Sequence, residues 1–150
     1  MKLGKITFTA KFISTLTFQT LTKRKVYVGM FEEDFQNCVE HISLAKRADL
    51  CLIAPATANI IGKLASGIAD DMLSTVVMAI KNTPIYICPA MNTAMYENGI
   101  VQENMAKLAK HGYLFIDPKE SLLACGDLGK GALADVELIT ETVLSLLKNI

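Results

Sequence analysis

The stretch that decides the fold is Leu50-Cys-Leu-Ile-Ala-Pro-Ala-Thr-Ala-Asn59. It opens with five consecutive apolar residues, which is typical of a strand buried on both faces of a parallel sheet. Pro55 ends this run, and small and polar residues follow it. Residues 59–66 then predict a short helix, and Gly67 is suited to ending it. The stretch therefore predicts a strand, a polar turn and a helix in succession.

The same order recurs further along the chain. Ile85-Tyr-Ile-Cys88 is a second apolar run that ends at a proline, Pro89, and residues 114–116 predict a third strand. Alternation of strands and helices indicates an α/β fold with a doubly wound parallel sheet, in a single domain over residues 1–150. In such sheets, ligands bind at the carboxyl ends of the strands.

Three further helices are predicted from the spacing of apolar residues and from residues that commonly occur at helix ends. The first begins at Asp70 or Asp71 and buries Leu73, Val76, Val77 and Ile80. The second covers about residues 102–110, buries Met105, Leu108 and Ala109, and ends at His111-Gly112. The last begins at Asp135 and buries Val136, Ile139, Val143, Leu146 and Leu147.

Two other regions give weaker patterns. Residues 9–22 predict a helix that buries Phe12, Ile13 and Leu16, and residues 26–28 predict a short strand. Residues 117–134 contain three of the nine glycines and are expected to be irregular.

Composition and charge exclude several classes of function. The chain has 15 basic and 15 acidic residues, so its formal net charge is +0 and nothing indicates a nucleic-acid partner. No apolar run reaches the length needed to span a bilayer, and no secretory signal precedes the first strand. The four cysteines lie far apart, which favours thiols in a reducing compartment, and we expect a cytoplasmic protein. Neither histidine has a second ligand at metal-binding spacing, so no metal site is expected.

The residues after the two prolines are candidates for ligand binding. Thr57 and Asn59 lie at a helix start, where backbone N–H groups lack intrahelical partners, and Asn92 holds the equivalent place after Pro89. The alternative interpretation is that these three side chains only cap helices.

Two further residues could carry proton transfer. His41 lies in a helical stretch before the first strand, where it is either a general base or a surface residue. Cys125 lies in a glycine-flanked loop, where a thiol is more available for chemistry than the strand cysteines. His111, at a predicted helix end, is interpreted as structural.

Four segments together resemble one known family, the homo-oligomeric flavin-containing cysteine decarboxylases. Residues 55–59 are similar to its flavin motif, Pro-x-Ser/Thr-Ala-Asn-Thr, and residues 89–95 match its substrate motif, Pro-x-Met-Asn-x-x-Met. The stretch from His41 to Asp49 resembles its active-site histidine segment. Leu123-Ala-Cys-Gly-Asp127, with Gly131-Ala-Leu-Ala134, resembles its cysteine loop. The resemblance runs from about Phe12 to the C-terminus and implies a Rossmann-like fold.

The resemblance also implies an activity and a cofactor. FMN would oxidise the cysteine side chain of a small-molecule substrate, carbon dioxide would leave from the adjacent carbon, and the resulting enethiol would then be reduced. FMN would be contacted by Thr57, Ala58, Asn59, Ile60 and Ala90. The substrate would be bound by Asn92, Met95 and Ala124. His41 would be the catalytic base and Cys125 the final proton donor. A homotrimer or homododecamer is implied as well.

The cysteine loop indicates which substrate the resemblance implies. Cys125 favours the branch that acts on 4′-phosphopantothenoylcysteine and completes the reduction to 4′-phosphopantetheine in coenzyme A biosynthesis. Peptidyl-cysteine decarboxylases typically lack this cysteine, and flavin prenyltransferases lack the substrate motif.

Some positions depart from the family pattern. Ile60 stands where the family has threonine, and Tyr96 replaces a frequent tryptophan. The family begins with a strand, a Gly-Ser-Ile phosphate loop and a helix, whereas this chain starts near the following segment. We therefore expect an N-terminally abbreviated fold, and a non-catalytic flavoprotein-like subunit that acts through oligomer contacts is an alternative function.

Overall fold

The computed structural model describes residues 5–6, 13–29, 40–122, 126 and 128–148. The chain forms two compact units. The first unit comprises Met1–Asp49 and Ile68–Asn82, and the second comprises Leu50–Gly67 and Thr83–Ile150. The assignment of residues 1–150 to one domain stays a prediction.

The described residues of the first unit form two short strands and three helices. Strands β1 (Lys5–Ile6) and β2 (Val26–Tyr27) pair in parallel. The helices are α1 (Thr15–Thr22), α2 (Glu40–Arg47) and α4 (Met72–Ala79). Helix α2 packs against α4 through Ala45, Met72 and Val76.

Local side-chain bonds define the ends of these helices. Ser14 accepts a hydrogen bond from the backbone N–H of Thr17, so α1 begins at Thr15 rather than near Thr9. Asp71 and Ser74 form a reciprocal capping box at the start of α4, which confirms the predicted aspartate cap.

In the first unit, the predicted apolar face of α1 was wrong, whereas that of α4 is confirmed at Val76 and Val77, which are buried. Ile13 and Leu16 are exposed, and Phe12 lies outside the described residues. In α4, Met72 is buried against Ala45 and Val76, whereas Leu73 is only half-buried. Ile80 follows the end of α4 in an extended conformation.

The second unit is built on a three-stranded parallel sheet. Its strands are β3 (Cys51–Ala56), β4 (Ile85–Pro89) and β5 (Leu114–Phe115), in the order β3-β4-β5. Its helices are α3 (Ala58–Ser66), α5 (Thr93–Tyr96), α6 (Gly99–Lys110) and α7 (Val136–Leu147). Cys88, Ile116, Ala134 and Ile139 form one core cluster of this unit.

The prediction that β3 is buried on both faces was wrong. Leu52 and Ala54 are exposed, while Ile53 and Ala56 are buried. Among the described strands, β3 pairs only with β4 and lies at the edge of its sheet. An edge strand tolerates a proline, which explains why β3 continues through Pro55 to Ala56.

Residues 117–134 are not irregular as predicted, since they contain an antiparallel pair of strands. Strand β6 (Lys119–Leu122) pairs with β7 (Leu128–Ala132). Strand β7 was not predicted from the sequence, because it contains glycines and glycine is normally depleted in strands.

The predicted ends of the last two helices need smaller corrections. Helix α6 begins at Gly99, because the Asn98 side chain caps it through the Ile100 N–H, and Ala109 is exposed. Asp135 is the N-cap residue of α7 as predicted, but its side chain pairs with Lys119 and makes no bond to a helix N–H. Val136 is exposed, and Ile139 is the buried residue of α7.

No helix in the described part of the chain is both long and apolar enough to cross a membrane.

Candidate active site

The two polar segments predicted from the sequence meet at one edge of the β3-β4-β5 sheet. Ala56 is paired in register with Pro89, and the backbone N–H of Ala90 donates a 2.9 Å hydrogen bond to the Ala56 carbonyl oxygen. The carboxyl ends of β3 and β4 are therefore joined directly. This places residues 57–60 and 90–95 beside each other, as expected for neighbouring parallel strands.

The segment after β3 forms the start of helix α3. Thr57 is its N-cap, and the Thr57 hydroxyl accepts a hydrogen bond from the Ile60 N–H at 3.4 Å. Ala58 is half-buried and Asn59 is exposed within the first turn. The interpretation as a helix cap therefore holds for Thr57. It does not hold for Asn59, which belongs to the first turn of α3 and does not occupy the N-cap position.

Ile60 lies in the first turn of α3. Its side chain is buried in the core, and its N–H is the group that Thr57 caps. The departure from threonine at this position therefore places an apolar side chain in an apolar environment.

The segment after β4 leads into helix α5. Asn92 is its N-cap, and the Asn92 side-chain carbonyl accepts a 2.9 Å hydrogen bond from the Ala94 N–H. This bond fixes the orientation of the amide group. Met95 is 49% exposed, whereas Tyr96 is buried and accepts a hydrogen bond at its carbonyl oxygen from the Gln102 side chain. Asn92 and Met95 are thus held on a short, anchored helical turn.

The β6-β7 hairpin contacts this same segment, which the sequence analysis did not predict. The N–H of Met91 donates a 2.9 Å hydrogen bond to the Gly131 carbonyl oxygen. A Cβ atom built on Gly129 would lie 2.5 Å from the Thr93 hydroxyl oxygen. The hairpin backbone thus lies directly on residues 91–93. The alternating glycines of β7 were the available sequence signal.

Thr93 and Lys130 are additional residues of this region that sequence reasoning missed. The Thr93 hydroxyl is buried and makes no hydrogen bond within the described part of the chain. The Lys130 ammonium lies 5.6 Å from the centroid of the Tyr96 ring and 3.4 Å from an Asp117 carboxylate oxygen. Tyr96, and then Asp117, raise the pKa of Lys130 above its ordinary value.

Ala124 and Cys125 lie outside the described residues. The positions that flank them are described, because Leu122 and Leu128 are paired across the hairpin. In sequence, both residues therefore fall between β6 and β7, the strand that contacts residues 91–93.

The two described strand cysteines are poor candidates for thiol chemistry. Cys88 is fully buried and Cys51 is half-buried, and neither forms a disulfide. Loss of solvation on burial raises the pKa of each thiol to about 11. Both thiols are therefore protonated near pH 7, which agrees with the structural interpretation of the strand cysteines.

The two histidines occupy different environments. His41 is half-buried at the second position of α2, in the first unit. His111 is exposed and follows the last residue of α6, where its backbone N–H donates to the Leu108 carbonyl oxygen. His111 therefore lies at the predicted helix end, where its backbone closes α6.

The described residues contain no group of three or more histidine, cysteine, aspartate or glutamate side chains that could hold a metal ion.

The chain is similar to several known proteins. A protein-family model described as Flavoprotein matches residues 6–148. The chain is 49% identical over 134 residues to a probable phosphopantothenoylcysteine decarboxylase of Streptococcus mutans, covering 89% of this chain and 75% of that protein. It is also 49% identical over 131 residues to the coenzyme A biosynthesis bifunctional protein CoaBC of Bacillus subtilis. That match covers 87% of this chain but only 32% of the bifunctional protein.

Solved structures show the same fold. A mutant PPC decarboxylase complexed with pantothenoylaminoethenethiol has a TM-score of 0.78 and 32% identity, covering 91% of this chain and 80% of that one. The FMN-dependent cysteine decarboxylase SpaF has a TM-score of 0.78 and 30% identity, covering 95% and 77%. These matches confirm the predicted α/β Rossmann-like fold. With a family model that spans nearly the whole sequence, they establish that the chain belongs to the flavoprotein family.

Proposed function

We propose that this chain is an FMN-dependent decarboxylase that converts 4′-phosphopantothenoylcysteine to 4′-phosphopantetheine in coenzyme A biosynthesis. The observation that carries the proposal is the bond between the Ala90 N–H and the Ala56 carbonyl oxygen, which joins the flavin and substrate motifs at one sheet edge. The identity of 49% to the Streptococcus mutans decarboxylase supports the same substrate.

The residues at the end of β3 fit the ring of FMN. Ala54 and Pro55 present small exposed apolar groups, and Thr57 and Asn59 present exposed polar side chains next to them. The first turn of α3 adds backbone N–H groups that favour oxygen acceptors. A flat ring with polar atoms along one edge needs this combination. We assign Thr57, Ala58, Asn59, Ile60 and Ala90 as its contacts.

The residues after β4 fit the substrate. An asparagine amide donates hydrogen bonds to a carboxylate, and the capping bond to Ala94 orients the Asn92 side chain for this role. The half-exposed Met95 side chain provides an adaptable apolar wall. We assign Asn92 and Met95 to substrate binding, with Ala124 from the hairpin loop.

FMN supplies the oxidation and later reduction of the substrate's cysteine carbon when it is bound. The protein positions the substrate and moves protons. We assign His41 as the base, because an imidazole accepts a proton near neutral pH and its segment resembles the histidine segment of the family. We assign Cys125 as the donor of the last proton, which completes the reduction.

A second candidate function is decarboxylation of a peptidyl cysteine. The structural likeness to the cysteine decarboxylase SpaF, with a TM-score of 0.78, favours it. Cys125 argues against it, since the resemblance associates this cysteine with the full cycle. Offering a cysteine-terminated peptide and 4′-phosphopantothenoylcysteine to the same preparation distinguishes the two functions.

The proposal extends to assembly and location. We expect one flavoprotein domain that assembles as a homotrimer or homododecamer in the cytoplasm, without nucleic-acid or membrane partners. Sedimentation of the purified protein measures the assembly.

A visible absorption spectrum and a pair of histidine variants test this function. The purified protein, supplied with FMN, should retain a flavin spectrum after removal of unbound cofactor. His41→Asn should keep that spectrum and stop carbon dioxide release, because it removes the proposed base. His111→Asn is the matched control and should behave as the wild type, since His111 only follows a helix end.

A spectrum without bound flavin would leave the non-catalytic subunit as the better description. Carbon dioxide release that persists in His41→Asn would remove His41 from the mechanism.

A further inference from the structure

Helix α5 is a single turn that carries both described residues assigned to the substrate. Asn92 is its N-cap, and Met95 lies half-exposed within it. The backbone N–H of Tyr96, the last residue of the helix, donates a 2.9 Å hydrogen bond to the Asn92 carbonyl oxygen. A turn this short is not stable in isolation, because its few hydrogen bonds do not offset the ordering of its backbone. Its conformation therefore depends on the contacts that hold its two ends.

Backbone contacts hold both ends of the turn. Before its start, the Met91 N–H donates a hydrogen bond to the Gly131 carbonyl oxygen of β7. At its end, the Tyr96 carbonyl oxygen accepts a hydrogen bond from the Gln102 side chain of α6. The Tyr96 ring is buried, so the turn is also held through the packing around this side chain.

Lys130 of β7 contacts the ring of Tyr96. The lysine Nζ lies over the ring, 5.6 Å from its centroid, which is within the range of cation–π attraction. An Asp117 carboxylate oxygen lies 3.4 Å from the same Nζ. Ordering a lysine side chain costs rotamer entropy, and these two contacts together offset that cost. Strand β7 therefore holds the turn at Met91 through its backbone and at Tyr96 through a side chain.

The other lysine that pairs with an aspartate on this hairpin lacks this contact with the turn. Lys119 of β6 forms its ion pair with Asp135. Among the described residues, the ammonium of Lys130, and not that of Lys119, lies over the ring of Tyr96. The two lysines therefore separate the effect of an ion pair on the hairpin from the effect of the contact with Tyr96.

We propose that Lys130 is a positioning residue for substrate binding, an inference that rests on the proposed function. Its ammonium holds the Tyr96 ring and thereby keeps α5 in the conformation that presents Asn92 and Met95 to the substrate. These two residues contact parts of the substrate that persist from the bound state to the transition state. Loss of the lysine charge should therefore weaken substrate binding and leave the chemical step almost unchanged.

The test compares steady-state kinetics of Lys130→Met and Lys119→Met, each supplied with FMN. Methionine keeps most of the apolar stem of lysine and removes its charge. Lys130→Met should raise KM for 4′-phosphopantothenoylcysteine roughly fivefold to tenfold, as expected for the loss of one cation–π contact. Its kcat should stay within about twofold of the wild-type value. Lys119→Met should keep the wild-type KM, although it also loses an ion pair with an aspartate.

Two further variants test whether the contact with Tyr96 is responsible. Lys130→Arg should restore the wild-type KM, because a guanidinium group also lies favourably over an aromatic ring. In a Tyr96→Leu background, Lys130→Met should raise KM no further, because the ring is already absent. If Tyr96→Leu does not fold, the comparison of Lys130→Arg with Lys130→Met decides alone.

Two kinds of outcome count against the inference. A wild-type protein that releases no carbon dioxide would defeat the proposed function and this inference together. With an active wild type, a Lys130→Met variant that has the same KM as Lys119→Met, or that loses only kcat, would overturn the role of Lys130 alone.

Discussion

At the scale of single residues, burial determines whether a cysteine thiol is available for chemistry, as Cys88 and Cys51 show. Both have a pKa raised to about 11 from 9.0 by loss of solvation. Cys88 lies directly before Pro89 at the carboxyl end of β4, yet its thiol is fully buried. Cys88 is therefore close to the candidate site in the sequence, but its buried thiol is not available for catalysis.

The raised pKa values predict a loss of stability at alkaline pH. Above pH 9 the thiols ionise in the unfolded chain but stay protonated in the folded chain. The folded state then binds more protons than the unfolded state, so the free energy of unfolding falls as pH rises from about 9 to about 11. Each thiol contributes a slope of about 1.4 kcal/mol per pH unit in that interval.

Urea unfolding at several alkaline pH values measures this slope. Cys88→Ala should remove roughly half of the thiol contribution. A slope that is the same with and without Cys88 would show that its ionisation is not linked to folding.

At the scale of secondary structure elements, sequence patterns located the strands and helices better than their buried faces. The α3 cap at Gly67 and the α4 cap at Asp71 follow from local chemistry and were predicted. The exposed face of β3 was not predicted, because an apolar run does not reveal whether its strand lies at a sheet edge.

The β6-β7 hairpin shows a different limit of sequence patterns. Its glycines are there because the strand lies on the backbone of residues 91–93, a contact between segments about forty positions apart in the sequence. The substrate-motif residues could be selected from the sequence, whereas Thr93, Lys130 and Gly131 could be associated with them only in the folded chain.

The end of helix α3 gives a prediction at this scale. Gly67 follows the helix with a φ of 70°, in the left-handed region, and a built Cβ would meet no atom within 4 Å. Gly67→Ala should lower the free energy of unfolding by about 1 kcal/mol through backbone strain alone.

Chemical denaturation measures this change, and Gly99→Ala serves as the comparison because its backbone is helical and uncrowded. Equal stability of the two variants would contradict the strain argument.

At the scale of the whole molecule, the family assignment and the local geometry support each other. The family model covers residues 6–148, and the relatives include both a separate decarboxylase and a bifunctional protein of which this chain matches 32%. The names of the relatives support the proposed substrate, while the arrangement of Asn92, Met95 and Gly131 is seen in this chain itself.

The most direct test of the central claim is mass spectrometry of the products formed from 4′-phosphopantothenoylcysteine by the purified, FMN-supplied protein. The wild type should release carbon dioxide and yield 4′-phosphopantetheine in equal amounts, and Cys125→Ser should yield the unreduced enethiol instead. Unchanged substrate after incubation with the flavin-loaded wild type would contradict the proposed function.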